Sequence, residues 1–294
     1  MPLVSTGELV SAAAADGRGV AAFNVITLEH AEAIAAGAEQ AGVPAILQIS
    51  ENAVAFHGGS VAAIAAAASA IAHASTAPLA LHLDHVVSTE LLRAAADEDF
   101  SSVMFDASKL PYDENVKATA EAVRWGHERG IWIEAELGRV GGKEGEPPLG
   151  AHAPGVRTDP AEAAAYVAAT GVDALAVAVG SSHAMTQRTA SLDHTLITQL
   201  RDAVPVPLVL HGSSGVPDEE IRAAVAAGMT KINVGTALST AFTGAVRTFL
   251  DTNPSTVDPR KYLVPARAAM TATVAGFLNL MGIQLPDPHA EMNR

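Results

Sequence analysis

Eight times along this chain a short strand-like run is followed by a longer stretch with helical spacing. The runs lie near residues 20, 45, 79, 102, 131, 174, 208 and 231. "GVAAFNV" (19–25) opens the series, "PAILQIS" (44–50) and "PLALHLD" (78–84) follow, and "KINV" (231–234) closes it. Strands that alternate with helices pair in parallel. Eight such cycles in about 230 residues predict an α/β fold, the (β/α)8 TIM barrel. An open doubly wound sheet competes with it, but no Gly-x-Gly-x-x-Gly turn follows the first strand. Ser88 and Asp159 stand where helix caps are needed, and Pro160 suits a first helical position.

No domain boundary interrupts the pattern. Residues 1–294 read as one barrel domain with a helical C-terminal extension over about 252–294. That extension carries "DPRKY" (258–262) and a helix to about 280, and is expected to cap the barrel or reach a neighbouring subunit. The helix over 236–250 is expected to complete the eighth cycle. The segment "GRVGGKEGEPPLGAHAPG" (138–155) is too long for an ordinary connection and predicts a mobile active-site loop.

Charge narrows the partners. The formal net charge is −14 and no Lys/Arg cluster occurs, which argues against nucleic acid and against anionic membrane surfaces. An anionic substrate would need backbone N–H groups or a few placed cations. There is no cysteine, so thiolate chemistry and disulfides are excluded. The N-terminal stretch lacks a signal-peptide pattern, and "SVAAIAAAASAIAHAS" (60–75) is a short alanine-rich run interrupted by His73. A soluble cytoplasmic protein is expected.

In barrels of this type chemistry collects at the C-terminal ends of the strands. Asp84 and His85 end the third strand, Asp106 the fourth, Glu134 and Glu136 the fifth. His183 follows the sixth, His211 ends the seventh and Asn233 the eighth. Three imidazoles at one mouth, His85, His183 and His211, suit a catalytic metal with a position left open for substrate. Strand alternation places Asp84 on the opposite side of the pleat from His85. It then serves as an acid–base beside the metal, or as a carboxylate that orients a histidine. Asp106, Glu134 and Glu136 are open between metal ligands, partners of ligands and simple charge pairs. "HGSSG" (211–215) and "NVGTA" (233–237) precede helices at the barrel positions that often hold a phosphate. Glu144 sits in the glycine-rich loop, where it can swing over the site or stay a solvated charge.

Taken together, "HLDH", "EAELGRVGGKEG", "AVAVGSSHA", "LVLHGSSGVPDEEI" and "KINVGTAL" resemble the class II, metal-dependent ketose-bisphosphate aldolases. The likeness runs from about Phe23 to "DPRKY". It implies a lyase of carbohydrate metabolism that splits fructose 1,6-bisphosphate into dihydroxyacetone phosphate and glyceraldehyde 3-phosphate. Tagatose 1,6-bisphosphate or another sugar phosphate stands second. A metal-dependent hydrolase and a non-catalytic sugar-phosphate binder stand behind these. The resemblance makes His85, His183 and His211 zinc ligands, Asp84 the acid–base at the C4 hydroxyl, and Glu144 the group that moves the donor-carbon proton. Glu136 and Asp106 match an alternative metal position. Gly212, Ser214, Asn233 and Thr236 match contacts to dihydroxyacetone phosphate, and Asn24 and Ser50 match polar strand ends. Arg260 matches an arginine that meets the distal phosphate, in some relatives across a dimer interface. Relatives form dimers or tetramers, and some hold a monovalent cation, Na⁺ or K⁺, near the phosphate. The chain departs from the pattern at Ala184, where the family usually has glycine, at Gly235, where some relatives carry a carboxylate, and in "MTQRTASLD", where Arg188 stands in for a lysine.

Overall fold

The computed structural model describes residues 3–138, 140 and 157–281. Eight parallel strands close into one barrel in chain order. They are β1 Val20–Asn24, β2 Ala45–Ser50, β3 Leu79–Val86, β4 Ser102–Phe105, β5 Trp132–Leu137, β6 Ala174–Val177, β7 Leu208–Leu210 and β8 Met229–Val234. The seam is β8 against β1, with Val20 opposite Lys231 and Ala22 opposite Asn233. Each predicted strand is present.

Alternation along the strands separates two environments. Leu47, Ile49, Leu81, Leu83, Leu175 and Val177 face outward into the main core beneath the helices. Each such side chain contributes about 1.5–3 kcal/mol when fully buried. Their inward neighbours form layers: apolar Ala22, Ile46 and Ala80 low in the barrel, then polar Gln48, His82, Glu134 and Lys231, then the mouth.

Eleven helices surround this barrel among the described residues: α1 Thr6–Ala15, α2 Leu28–Ala41, α3 Glu51–Phe56, α4 Ala62–Ala74, α5 Thr89–Ala94, α6 Tyr112–His127, α7 Pro160–Thr170, α8 His194–Ala203, α9 Asp218–Ala227, α10 Thr236–Thr252 and α11 Pro259–Met281. Ser88 caps α5 by accepting from the Leu91 N–H at 3.2 Å, and Asp159 caps α7 by accepting from Ala161 and Glu162 at 2.9 Å each. α1 lies outside the alternating pattern. Its Val10 and Ala13 pack on Val20, Ala22, Ile46 and Ala80 and plug the N-terminal end of the barrel.

The C-terminal region differs from expectation. α10 follows β8, as predicted, but Leu238 is its one fully buried residue. α11 does not cap an end. It lies along the side wall against α2, α9, α10 and β1, burying Met270, Val274, Phe277 and Leu278. Phe277 meets Phe23 of β1 edge-on, ring centres 6.4 Å apart. Gly37 on α2 allows this approach, because a β-carbon there would lie 2.5 Å from Val274. α11 thus takes the wall position that a regular barrel gives to the helix after its eighth strand. α11 is also long and apolar enough to cross a membrane by length and composition, and its buried face is the one packed on the barrel.

Candidate active site

A cavity of about 680 Å³ opens at the C-terminal ends of the strands. Of the residues singled out in the sequence, Asn24, Ser50, Asp84, His85, Asp106, His183, Gly212, Ser214, Asn233 and Thr236 line it.

The three histidines converge. Ring centres are 4.8 Å apart for His85 and His211, 5.2 Å for His85 and His183, and 5.6 Å for His183 and His211. With Glu136 they offer four ligand atoms, all within 4.8 Å of one another. Three imidazole nitrogens and a carboxylate oxygen form a donor set that suits a borderline divalent ion. Two further carboxylates aim the rings. Asp106 Oδ2 lies 2.9 Å from His85 Nδ1, which directs Nε2 inward. Glu134 Oε1 lies 3.1 Å from His211 Nε2, while His211 Nδ1 meets Glu136 at 3.0 Å. A carboxylate on the outer nitrogen fixes a ligating histidine's tautomer and orientation.

His85 reaches this cluster through a break in its strand. The pairing of β3 with β4 shifts register between Leu83 and Val86, and His85 has φ of 50°. That left-handed backbone is uncommon outside glycine, and such strain gathers at functional sites. The bulge overturns the expectation from strict alternation. Asp84 and His85 do not point to opposite sides of the sheet. Both face the cavity, with Asp84 Oδ2 3.9 Å from His85 Nε2.

Beneath the mouth lies a layer of buried charge. His82, Asp84, Glu134 and Lys231 are each at most 3% exposed. Burial alone would raise the Asp84 carboxyl, but His85, His82, Lys231 and His211 hold it well below the usual carboxylate range. Burial likewise opposes ionisation of Glu134, yet Lys231 and His211 bring it down to about 2. For His211 burial disfavours the charged ring, while Glu134 and Glu136 raise it to about 9. The cluster therefore carries anionic oxygens and stabilises positive charge between them.

The opposite wall suits an anion. Gly212 has φ of 69° and its Cα lies against the Ser182 backbone, where a β-carbon would come within 2.5 Å. Ser214 Oγ accepts from the Ala237 N–H at 3.0 Å, so the loop after β7 docks on the first turn of α10. Thr236 opens that helix at the cavity edge. Helix N-termini with adjacent loop N–H groups favour anions. Ala184 also lines the cavity and has φ of 57°, a left-handed backbone that glycine adopts at less cost than alanine.

Two predicted site residues stand elsewhere, Arg188 and Arg260. Arg188 turns outward: Nε donates to the Val216 carbonyl at 2.8 Å, the guanidinium pairs with Asp218, and it lies 5.2 Å from the Phe277 ring centre. Arg260 is 87% exposed at the start of α11, paired with Asp258 at 2.8 Å. Glu144 lies outside the described residues.

The deep layer was the part that sequence reasoning missed. The strand-end reading names Glu134 in this layer but not Gln48, His82 or Lys231. A signal existed. Gln48, His82, Glu134 and Lys231 each precede a mouth residue (Ser50, Asp84, Glu136, Asn233) by two positions on the same strand. Period-two alternation puts such pairs on one face, one layer apart.

Comparison with known proteins identifies the family. The family described as fructose-bisphosphate aldolase class-II matches residues 4–284. A fructose-bisphosphate aldolase of Geobacillus stearothermophilus is 41% identical over 283 residues, 96% of this chain and 98% of that protein. A fructose-bisphosphate aldolase of Staphylococcus aureus strain N315 is 38% identical over 284 residues, again 96% and 98%. Among solved structures, the YdjI aldolase of Escherichia coli K12 superposes with a TM-score of 0.81 at 31% identity, covering 95% of this chain and 97% of that one. The chain belongs to the class II fructose-bisphosphate aldolase family.

Proposed function

We propose that this aldolase uses Zn²⁺ held by His85, His183 and His211 to split fructose 1,6-bisphosphate reversibly into dihydroxyacetone phosphate and glyceraldehyde 3-phosphate. The observation that carries the reading is the meeting of three imidazoles beside Asp84, with the anion-suited loops after β7 and β8 on the same cavity. The names of the relatives favour fructose over tagatose.

When bound, the ion supplies Lewis-acid polarisation at the C2 carbonyl oxygen of the ketose. The chain's own groups do the rest. Gly212, Ser214, Asn233 and Thr236 hold the donor phosphate and fix C3–C4 over the floor. Asp84, kept ionised by its cationic surroundings, takes the C4 hydroxyl proton as the C3–C4 bond breaks. Asp106 and Glu134 keep His85 and His211 aimed, and Glu136 lends a carboxylate at the alternative metal position. Asn24 and Ser50 bind substrate hydroxyls from the first two strand ends, and Glu144 returns a proton to the donor carbon. Arg188 and Arg260 stand off the cavity within one chain, so Arg260 reaches the distal phosphate only across a dimer or tetramer interface. A cytoplasmic homo-oligomer acting in glycolysis fits this reading.

The test is metal analysis of purified protein with cleavage assays on fructose and tagatose bisphosphates, each with a chelator control. Triose phosphate release that a chelator abolishes and Zn²⁺ restores is the expected result. Phosphate release without carbon–carbon cleavage would point to a hydrolase instead.

A further inference from the structure

Lys231 is wholly buried beneath the cavity floor. Its ammonium has three protons and meets three oxygens. Glu134 Oε2 lies at 2.8 Å, Asn233 Oδ1 at 2.8 Å and Gln48 Oε1 at 3.3 Å. His82 Nε2 stands further off at 3.4 Å. Two routes lead upward from this hub. Along the first, Glu134 places one oxygen on Lys231 and turns the other, Oε1, to His211 Nε2 at 3.1 Å. That leaves Nδ1 for the metal side. Along the second, Gln48 gives its carbonyl oxygen to the ammonium. Its amide N–H groups must then point the other way, to Asp84 Oδ2 at 3.0 Å and Asn24 Oδ1 at 2.8 Å. A flipped amide would set its NH₂ against the ammonium and its oxygen against a carboxylate.

We propose that Lys231 is a positioning residue for the aldol reaction: one buried ammonium sets the aim of His211 through Glu134 and the aim of Asp84 through Gln48. The Asp84 route rests on the aldolase reading. The His211 route needs only the metal cluster. Both routes begin on one residue, so one substitution disturbs metal affinity and chemistry together.

The experiment compares the parent enzyme with Lys231→Met, with Gln48→Met, and with Lys231→Met/Glu134→Gln, which removes the charge that the single change strands. Folding is read by circular dichroism and thermal melting, Zn²⁺ affinity by competition with a chromophoric chelator, and kcat and KM at saturating Zn²⁺. In folded Lys231→Met or the double variant, Zn²⁺ affinity is expected to fall about 10–100-fold, with kcat at saturating Zn²⁺ down about tenfold or more. KM should move less than kcat. Gln48→Met should lower kcat and leave Zn²⁺ affinity alone. The proposal is overturned if a folded Lys231 variant keeps kcat or Zn²⁺ affinity within about twofold of the parent. It is also overturned if neither Lys231 variant folds, since the lysine then serves folding alone. A parent enzyme that binds Zn²⁺ but cleaves no ketose bisphosphate would defeat the functional reading instead, and the chelator competition would still report on the His211 route.

Discussion

His30 and His211 are both buried imidazoles, and their surroundings push them in opposite directions. His30 lies in the helical shell, 4% exposed, stacked on Phe242 of α10 with ring centres 5.6 Å apart. Burial brings it down to about 4, against only a weak pull from Glu29. His211 is fully buried at the barrel mouth, yet a carboxylate on each ring nitrogen raises it to about 9. Burial by itself silences an imidazole. Paired carboxylates turn the same ring into a place where positive charge is wanted, whether it arrives as a proton or as a metal ion.

The sharpest way to break this contrast is to delete each ring. His211→Ala should abolish metal retention and lower kcat/KM by about 10³-fold or more, given that metal stabilisation is worth several kcal/mol. His30→Ala should cost stability and leave kcat near the parent value. Metal content and steady-state kinetics on the two variants decide it. A loss confined to the chemical step, about 10²–10⁴-fold in kcat with metal content kept, is expected for Asp84→Ala, because that change removes a proton carrier and no ligand.

Acid titration of stability sharpens the shell side of the comparison. The His30 ring takes up a proton near 6.5 in the unfolded chain and only near 4 in the folded one. The unfolded state therefore binds more protons between these values, and stability rises with pH across them. The contribution is complete above pH 6.5 and is lost as pH falls toward 4, on the order of 3 kcal/mol. Urea melts of the parent and His30→Gln at pH 7 and 4.5 should show a difference that shrinks with acid. A constant difference would remove burial as the cause. The smallest effect belongs to Ala184. Its left-handed backbone costs about 1 kcal/mol for a residue with a β-carbon, so Ala184→Gly should raise the melting temperature by about 2–4 °C or slightly less. A fall in melting temperature would show that the methyl group packs to advantage.

Much of this molecule is legible in its sequence. Strand positions followed from local apolar runs, and the caps at Ser88 and Asp159 from side chains that serve their own helices. Those signals live within a few residues of where they act. The convergence of His85, His183 and His211 is expected from barrel topology, since His85 and His211 stand at the C-terminal ends of their strands and His183 in the loop that follows β6. What escaped notice depends on distant partners or broken regularity. The bulge at His85 violates the period-two rule, which keeps Asp84 on the inward face with His82 but would turn His85 away from it. Lys231 meets Gln48 across 183 positions, which no local pattern announces. Arg188 resembles the family's lysine in sequence position, but Asp218 and the Val216 carbonyl draw it away. α10 has helical periodicity, yet nothing local says that α11 will take the wall beside β1.

That exchange of helices bears on how the chain assembles. β1 is the first strand to leave the ribosome, but Phe23 waits for Phe277, more than two hundred residues later, before its outer face is covered. Until then the seam between the first and final strands offers bare apolar surface and sheet edges, a hazard for sticking to other nascent chains. Closure of the ring is thereby tied to translation of α11, and a product cut short before that helix should be aggregation-prone even with every ligand of the metal cluster already made.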